Sequence, residues 1–331
     1  MSRFAGFGSA LPTHQLTPAA SQAALSQIWP HLRSAGLESV TRYTVQAATQ
    51  VFSPQTLGER MRVYEDEAPR LAQLAVKAAL AEAGLAPDQI DLLISVSCTG
   101  YMVPALDVGL AQELGFRSDL IRIPLTELGC SGGGAAVAAA HRHLRLEPSH
   151  RVLVVCVELC SLTFQPSDSS IDNMTAAMVF GDGAAAAVLT GEPGGLEVVA
   201  TGTRLIPGTQ ALLGFDLRSD GFHPVLDRRL PHLIERELVG ALAGFGEGRL
   251  DFMAVHAGGP RIFDAVENGL GLVPGALVES REVFSRYGNL SSASLLFVLA
   301  RLREGPDGLG LGLAFGPGVT VEMAALRRSP E

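Results

Sequence analysis

Three residues have side chains and settings suited to chemistry on a carbonyl group, and Cys130 is the strongest candidate for the nucleophile. It lies between Gly129 and a run of glycines, just ahead of an alanine-rich helical stretch. We expect the unpaired N–H groups and the dipole at the start of that helix to stabilise a thiolate and to lower its pKa. The glycines also let a substrate carbonyl approach the backbone closely. The structural alternative is a small buried cysteine that packs a helix against a strand.

His256 and Asn289 are the two side chains that could assist this nucleophile. His256 follows an apolar run and precedes a glycine loop, which places it at the carboxyl end of a predicted strand, where open α/β sheets usually bind ligands. There its imidazole would accept the thiol proton of Cys130 and form an ion pair with it. Asn289 precedes two serines and could donate to a developing oxyanion together with His256. Asparagine is also an ordinary helix N-cap.

The elements that must position these residues repeat along the chain. An apolar run begins after Asp91 and another after Asp251, and a polar residue at a helix start follows each at almost the same distance, Cys130 in the first case and Asn289 in the second. A matched glycine motif then closes each half, and a longer spacer before the first motif indicates an insertion. These motifs are Phe180-Gly181-Asp182-Gly183 and Phe315-Gly316-Pro317-Gly318. The repeat predicts two related halves, with Cys130 and Asn289 at corresponding positions.

Short apolar runs alternate with alanine- and leucine-rich stretches, which is typical of an α/β protein. The runs predicted as buried strands are residues 92–96, 152–157 and 252–255. The stretches predicted as helices are residues 71–83, 132–144, 234–243 and 291–302. Pro193-Gly194-Gly195 marks the boundary between the halves. Residues 1–192 then contain Cys130, and residues 193–331 contain His256 and Asn289.

Composition excludes several classes of partner. The 331 residues include 25 Lys and Arg against 34 Asp and Glu, which gives a net charge of −9 and argues against nucleic acid as a partner. A hydrophobic fraction of 47% predicts a buried core and not a disordered chain. No apolar run approaches the roughly 18–20 residues that span a bilayer, so no membrane insertion is expected. Residues 1–10 lack the pattern of a secretory signal, and four cysteines do not make a disulfide scaffold, so we expect a cytoplasmic protein.

Six stretches between Asp91 and Val321 together resemble the type III polyketide synthases, the chalcone synthase-like branch of the thiolase fold. They cover about two thirds of the chain in family order: 128–133, 163–168, 180–185, 256–260, 287–293 and 315–318. The resemblance implies a five-layered αβαβα fold with two pseudo-symmetric halves. It also implies iterative decarboxylative condensation of malonyl-CoA onto an acyl-CoA starter through an acyl-cysteine, followed by cyclisation to an aromatic or pyrone product. No cofactor is implied, because the CoA thioesters are substrates.

The resemblance also assigns roles to residues. Cys130 would accept the acyl group, and His256 and Asn289 would form the oxyanion site. Phe180 and Phe222 match two aromatic gatekeepers between the CoA entrance and the cavity. Other positions that match the pocket are Cys98, Thr163, Phe215, Ser291, Gly316, Pro317 and Gly318.

Contacts beyond the pocket are implied in the same way. Val103 matches the loop residue that reaches into the partner subunit, so a homodimer is implied. Arg33, Arg42 and Arg261 are the candidates for binding the CoA phosphates. No metal is expected, because neither the two histidines at 141 and 143 nor the two cysteines at 156 and 160 have the context of a zinc site.

Two positions bear on the product. Cys98, in a Ser-Cys-Thr-Gly context, resembles bacterial tetrahydroxynaphthalene synthases, and the same cysteine occurs in some bacterial alkylpyrone synthases, so both product classes stay open. Phe215 is large where many family members have glycine. We expect its bulk to shrink the starter pocket and to favour a small starter over a long acyl chain.

Rival functions remain open at this point. An initiating ketoacyl synthase shares Cys, His and Asn, but it usually has Gln-Ala-Asn after the histidine, where this chain has Ala257-Gly258-Gly259, and it uses an acyl carrier protein. A papain-like cysteine hydrolase has the same order of residues, yet its local signature around the cysteine is absent. A binding module without turnover is the third possibility.

Overall fold

The structure is a computed structural model that describes residues 1–30, 40–245 and 250–330. Its strands are β1 (Ser2–Ala10), β2 (His14–Leu16), β3 (Arg42–Thr44), β4 (Leu92–Val96), β5 (Ile121–Leu125), β6 (Arg151–Leu159), β7 (Asp182–Thr190), β8 (Gly195–Leu205), β9 (Leu213–Arg218), β10 (Gly221–Leu226), β11 (Phe252–Val255), β12 (Gly308–Gly316) and β13 (Thr320–Ser329). Its helices are α1 (Pro18–Ile28), α2 (Ala48–Val51), α3 (Leu57–Ala83), α4 (Leu106–Leu114), α5 (Gly132–Leu146), α6 (Ile171–Val179), α7 (Leu230–Ala241), α8 (Pro260–Gly269), α9 (Val278–Tyr287) and α10 (Ser294–Leu302).

Nine strands form one mixed sheet in the order β11-β12-β13-β8-β1-β7-β6-β4-β5. In the first half, β4 pairs with β6 in parallel, β6 pairs with β7 antiparallel, and β7 pairs with β1 antiparallel. In the second half, β11 pairs with β12 in parallel, β12 pairs with β13 antiparallel, and β13 pairs with β8 antiparallel. The two halves therefore have the same strand pattern, and β1 joins β8 antiparallel between them. The internal repeat predicted from the sequence is confirmed as a repeat of topology.

The helices complete the layers. α5 and α10 contact strands of both halves and form the central helical layer. α3 and α4 cover the first half of the sheet, while α7 and α8 pack together and share a buried core with β11 and β12. With each half of the sheet counted as one layer, the order is helix, sheet, helix, sheet, helix, which is the predicted five-layered αβαβα arrangement. β4 and β11 are buried along their whole length, and apart from Ser95 of β4 they consist of apolar residues.

The two halves differ where the sequence indicated an insertion. β12 and β13 are joined by a short turn over Pro317–Val319. The equivalent strands of the first half, β6 and β7, are joined by residues 160–181, which include a 3₁₀ turn over Cys160–Thr163 and helix α6. A separate hairpin, β9 with β10, packs against α6. These added elements surround one end of the central helices.

Candidate active site

Cys130 sits in a tight turn that only glycine permits at its first position. The 3₁₀ turn Gly129–Ser131 leads directly into α5, and Gly129 has a φ of 52°. A Cβ atom on Gly129 would lie 2.7 Å from Cδ of Pro317, so a side chain has neither the space nor the backbone conformation there. The Ser131 hydroxyl donates to the Leu128 carbonyl at 2.8 Å and closes the turn. Cys130 is thereby held at the start of the central helix, as predicted.

Asn289 is held by its backbone and oriented by its side-chain oxygen. It forms an isolated parallel β-bridge with Phe180, and its N–H donates to the Val179 carbonyl at 2.8 Å. Its Oδ1 accepts from the Ser291 N–H at 2.8 Å and from the Ser294 hydroxyl at 3.4 Å. With the oxygen occupied, the amide NH₂ is the group left to donate, and Asn289 lies close enough to the Cys130 thiol to lower its pKa.

His256 follows β11 and is fixed against the neighbouring strand β12. Its backbone N–H donates to the Leu313 carbonyl at 2.9 Å, and its ring lies beside the Phe315 ring with 5.9 Å between the centroids. The Phe315 N–H donates to Nδ1 at 3.4 Å, which assigns the ring proton to Nε2. Burial lowers the pKa of His256 to about 4, so the imidazole is neutral near pH 7. His256 is therefore a neutral N–H donor.

The electrostatics of Cys130 differ from the sequence prediction. Burial and, to a smaller extent, the nearby Glu158 carboxylate raise the pKa of the thiol, and hydrogen bonding with Ser291 and the nearby Asn289 lower it in part, so that the pKa is about 11. The expected lowering by the helix start is wrong for the resting site, because the loss of hydration outweighs the favourable donors. The expected Cys130–His256 ion pair stays a prediction, and burial opposes it because it favours the neutral form of both groups.

The pseudo-symmetric partner of Cys130 is also corrected. The turn Gly129–Ser131 precedes α5 as the turn Ser291–Ala293 precedes α10, and Gly129 and Ser291 both have a positive φ. Counted from the helix starts, Ser292 is the counterpart of Cys130, and Asn289 lies three residues earlier. The repeat was measured from the strands, and the loops between strand and helix differ in the two halves. Asn289 still reaches Cys130, but from the preceding loop.

A cavity opens beside Cys130, with about 490 Å³ of empty space when the solvent at its mouth is included. Seven of the residues predicted from the sequence line it: Cys98, Cys130, Thr163, Phe180, Phe215, Ser291 and Pro317. Leu213, Pro224, Leu226 and Ala176 complete much of its apolar surface. Phe222 packs behind Phe215, with 5.7 Å between the ring centroids and an angle of 70° between the rings. The β9–β10 hairpin therefore forms one wall of the cavity.

The glycine loop after β12 closes the cavity against Cys130. A Cβ on Gly316 would lie 2.1 Å from the Ser131 hydroxyl, so the loop and the Cys130 turn are in direct contact. Gly318 has a φ of 63° and turns the chain into β13. Phe315 of the same loop touches His256. This loop is the structural link between the His256 strand and the Cys130 turn.

Glu158 is a buried carboxylate in this site that the sequence reasoning did not single out. It accepts from the Cys98 N–H at 3.1 Å, from the Thr99 hydroxyl at 2.8 Å and from the Ser292 hydroxyl. Burial raises its pKa above the ordinary value of a glutamate, while these hydrogen bonds lower it. A signal existed, because Glu158 is a charged residue that follows six consecutive apolar residues of β6. Its contacts connect the Cys98 loop to the turn after Asn289.

Four other predicted residues lie away from the cavity or outside the described residues. Val103 is 77% exposed on the loop that follows the cavity residues Cys98 and Thr99. Arg261 is exposed at the start of α8. Arg42 is buried, donates to the Ser21 hydroxyl at 2.9 Å and lies near Asp182, so its guanidinium is not presented to solvent. Arg33 lies outside the described residues.

Within the described ranges, no group of three or more His, Cys, Asp and Glu side chains is placed to hold a metal ion. His141 bonds Ser2 and His143 bonds His150, so the two histidines act separately. No helix in this part of the chain has the length and apolar character needed to cross a membrane.

Comparison with known proteins agrees with this geometry. Family models described as "Chalcone and stilbene synthases, N-terminal domain" and "Chalcone and stilbene synthases, C-terminal domain" match residues 43–193 and 197–330. A 1,3,6,8-tetrahydroxynaphthalene synthase from Streptomyces coelicolor is 40% identical over 86% of this chain and 79% of its own length. A phloroglucinol synthase from Pseudomonas fluorescens is 32% identical over 80% of this chain and 79% of its own.

The fold gives the same answer. The crystal structure of the tetrahydroxynaphthalene synthase from Streptomyces coelicolor A3(2), described as a bacterial type III polyketide synthase, superposes with a TM-score of 0.92 at 34% identity and covers 99% of both chains. These matches extend over both halves and over the cavity between them, so neither the ketoacyl synthase nor the hydrolase alternative is supported. The chain belongs to the chalcone and stilbene synthase family, the type III polyketide synthases.

Proposed function

We propose that Cys130 is the acyl-accepting nucleophile of this synthase and that Asn289 and His256 stabilise negative charge on the thioester oxygen. The observation that supports this most strongly is the orientation of the two donors. Contacts to Ser291 and Ser294 turn the Asn289 amide NH₂ toward the Cys130 thiol. The contact with the Phe315 N–H leaves the proton of His256 on Nε2. Asn289 lies near the thiol, and with His256 as a second neutral donor the pair would make an oxyanion site.

Loading of the starter follows from these groups. The Cys130 sulfur attacks the carbonyl of an acyl-CoA thioester, and its oxygen takes the negative charge next to the two donors. When the bond from carbonyl carbon to CoA sulfur breaks, the CoA thiolate takes up the proton released by Cys130. The products are an acyl-Cys130 thioester and free CoA. His256 acts here as a donor, not as the proton acceptor that the sequence suggested.

Extension uses the same donors. The carbon–carbon bond to the malonyl carboxylate breaks, CO₂ leaves, and the electron pair forms an enolate whose oxygen is stabilised by Asn289 and His256. The enolate carbon then attacks the acyl-Cys130 carbonyl, and the carbon–sulfur bond breaks to regenerate the Cys130 thiolate. The step requires charge stabilisation and not a strong base. No metal or other cofactor enters it, because the thioester itself provides the electron sink.

We further propose that malonyl-CoA also supplies the starter and that the product is a ten-carbon aromatic pentaketide. Phe215 supports a small starter, because its ring occupies the cavity wall and is braced from behind by Phe222. The 40% identical relative from Streptomyces coelicolor is named for a product of this kind. Another relative is named for phloroglucinol, so an aromatic product from a shorter chain is the alternative to the ten-carbon product.

The assembly and its surroundings are also part of the proposal. We propose a homodimer in which the exposed Val103 loop contacts the partner subunit, since this apolar loop continues directly from the cavity wall. The exposed Arg261 is the candidate for the CoA phosphates, and the buried Arg42 fits that role less well. We place the protein in the cytoplasm, because all four cysteines are free thiols and the chemistry needs a reduced Cys130.

The test is to incubate the protein with ¹³C-labelled malonyl-CoA alone and to analyse CO₂ and products by mass spectrometry. We expect CO₂ release and an aromatic product whose ten carbons all come from the labelled malonyl-CoA. The Cys130→Ala variant should make no condensation product while still releasing CO₂ from malonyl-CoA, because the donors remain. A wild-type protein that releases no CO₂, or that works only with malonyl-carrier protein, would overturn the proposal.

A further inference from the structure

A buried arginine holds the chain segment that contains Thr163 and Gln165. Arg60 lies in the first turn of α3, where it is 1% exposed, and its Nη1 donates to the Leu162 carbonyl at 2.8 Å. Leu162 precedes Thr163, which lines the cavity. The other terminal nitrogen, Nη2, contacts Oε1 of Gln165 at 3.4 Å. One guanidinium therefore contacts the Thr163 wall directly and Gln165 beside it.

Gln165 in turn contacts the β9–β10 hairpin. Its side chain is 2% exposed, and its Nε2 donates to the Phe222 carbonyl at 3.0 Å, on strand β10 of the hairpin. The fit is tight, because a Cβ on Gly221 would lie 2.6 Å from that nitrogen. A glutamine is suited to this place, since it accepts from Arg60 and donates to Phe222 at the same time.

The hairpin that Gln165 holds forms much of the cavity. Phe215, Pro224 and Leu226 of β9 and β10 line it, and Thr163 lines it from the 3₁₀ turn Cys160–Thr163. The backbone of Gln165 is itself fixed, because its N–H donates to Asn173 and its carbonyl accepts from the Asn173 amide. None of these contacts touches Cys130, His256 or Asn289.

We propose that the Arg60–Gln165 pair is a positioning element that fixes the separation between the Thr163 wall and the β9–β10 hairpin, and that it thereby controls how many malonyl units are added before the chain is released. The proposal rests on the proposed function. If the link between the walls is cut, the hairpin moves relative to Thr163 and the growing chain is no longer held folded. In such a chain an enol oxygen attacks its own thioester carbonyl, the carbon–sulfur bond breaks, and the thiol leaves with the enol proton, which releases a short lactone. Decarboxylation continues at the intact oxyanion site.

The experiment compares Gln165→Leu and Gln165→Glu with the wild type in malonyl-CoA decarboxylation and in the product profile by mass spectrometry. Leucine removes both contacts. Glutamate keeps the acceptor for Arg60 and loses only the donor to Phe222, and its similar shape guards against misfolding. Ser2→Ala is the control, because it removes one buried hydrogen bond, to His141, far from the cavity.

For both Gln165 variants we expect CO₂ release within twofold of the wild type and at least a fivefold rise in the ratio of three- and four-unit lactones to the full-length product. Ser2→Ala should keep the wild-type ratio. An unchanged ratio in the folded Gln165 variants, or a shift with leucine but not with glutamate, would overturn the proposal. An equal loss of decarboxylation and product would also overturn it, since that indicates a merely structural role. An inactive wild type would instead be a failure of the proposed function.

Discussion

Phe180 and Asn289 form a parallel β-bridge outside the main sheet, so a residue of the cavity wall and the carboxamide beside Cys130 share one backbone contact. The Gly181 N–H donates to the Asn289 carbonyl at 3.0 Å and completes the link. Because Phe180 belongs to the first half of the chain and Asn289 to the second, this bridge joins the halves at the site. The Asn289 backbone is therefore held by the packing of the two halves, while contacts within its own loop orient its side chain.

The first prediction concerns the donor itself. Asn289→Asp keeps the oxygen that accepts from Ser291 and Ser294 but replaces the NH₂ that faces Cys130. We expect kcat for malonyl-CoA decarboxylation to fall by about 10²–10³, the usual effect of losing one oxyanion donor, with little change in KM. Steady-state CO₂ release measures both constants. Asn289→Ala should show a similar fall, and a wild-type kcat in either variant would contradict the role of the amide.

The second prediction concerns the protonation state of Cys130. Its pKa of about 11 means that the thiolate fraction rises about tenfold per pH unit through the range from pH 7 to 10. The rate of iodoacetamide alkylation of Cys130, followed by mass spectrometry of its peptide, should rise with the same slope. Because the pKa of His256 is about 4, no imidazolium is present to hold a thiolate at neutral pH.

A Cys98→Ser background removes the other half-buried thiol of the cavity from this measurement. An alkylation rate that levels off with a midpoint between pH 6 and 8 would show a thiolate–imidazolium pair. In that case the sequence prediction would be right for the resting protein and the argument from burial would be wrong.

Much of the fold could be predicted from local sequence. Residues 92–96 and 252–255 are strands with the predicted bounds, because continuous apolar runs between turn residues favour buried strands. The sequence predicts helix α3 only from Leu71, yet the helix starts at Leu57 and continues through Pro69. The capping box of Thr56 and Glu59 is the signal that would have found this start.

The site could be predicted less completely. Residue types and spacing pointed to Cys130, His256 and Asn289, but the protonation of the first two depends on burial, which local sequence does not report. The Glu158 network joins three distant segments, so no local pattern contains it. The same holds for Gln165, whose partners Arg60 and Phe222 lie far apart in the chain.

The third prediction concerns the starter. Phe215→Gly removes a ring from the cavity wall and should raise kcat/KM for a medium-chain acyl-CoA such as octanoyl-CoA by about tenfold relative to the wild type. Leu217→Gly is the matched control, because Leu217 lies on the same strand, is 63% exposed and does not line the cavity. Competition between malonyl-CoA and octanoyl-CoA, read from product masses, gives the ratio. Equal profiles for the two variants would remove Phe215 from the selection of starters.

The fourth prediction separates backbone strain from the geometry of the site. Gly129 and Gly115 both have a positive φ, of 52° and 75°, so an alanine at either position should lower the free energy of unfolding by about 1–2 kcal/mol. At Gly115, the cap of α4, a Cβ has no neighbour within 4 Å. At Gly129 it would meet Cδ of Pro317 at 2.7 Å.

Gly129→Ala must therefore displace either the Cys130 turn or the loop that contacts it, whereas Gly115→Ala leaves the site unchanged. We expect Gly129→Ala to lose at least tenfold in kcat for condensation and to unfold at a lower urea concentration than Gly115→Ala, which should retain wild-type kcat. Urea unfolding and product formation, measured on the same preparations, give the two quantities. If Gly129→Ala lost stability and kept its condensation rate, the turn would hold Cys130 less strictly than the contact with Pro317 implies.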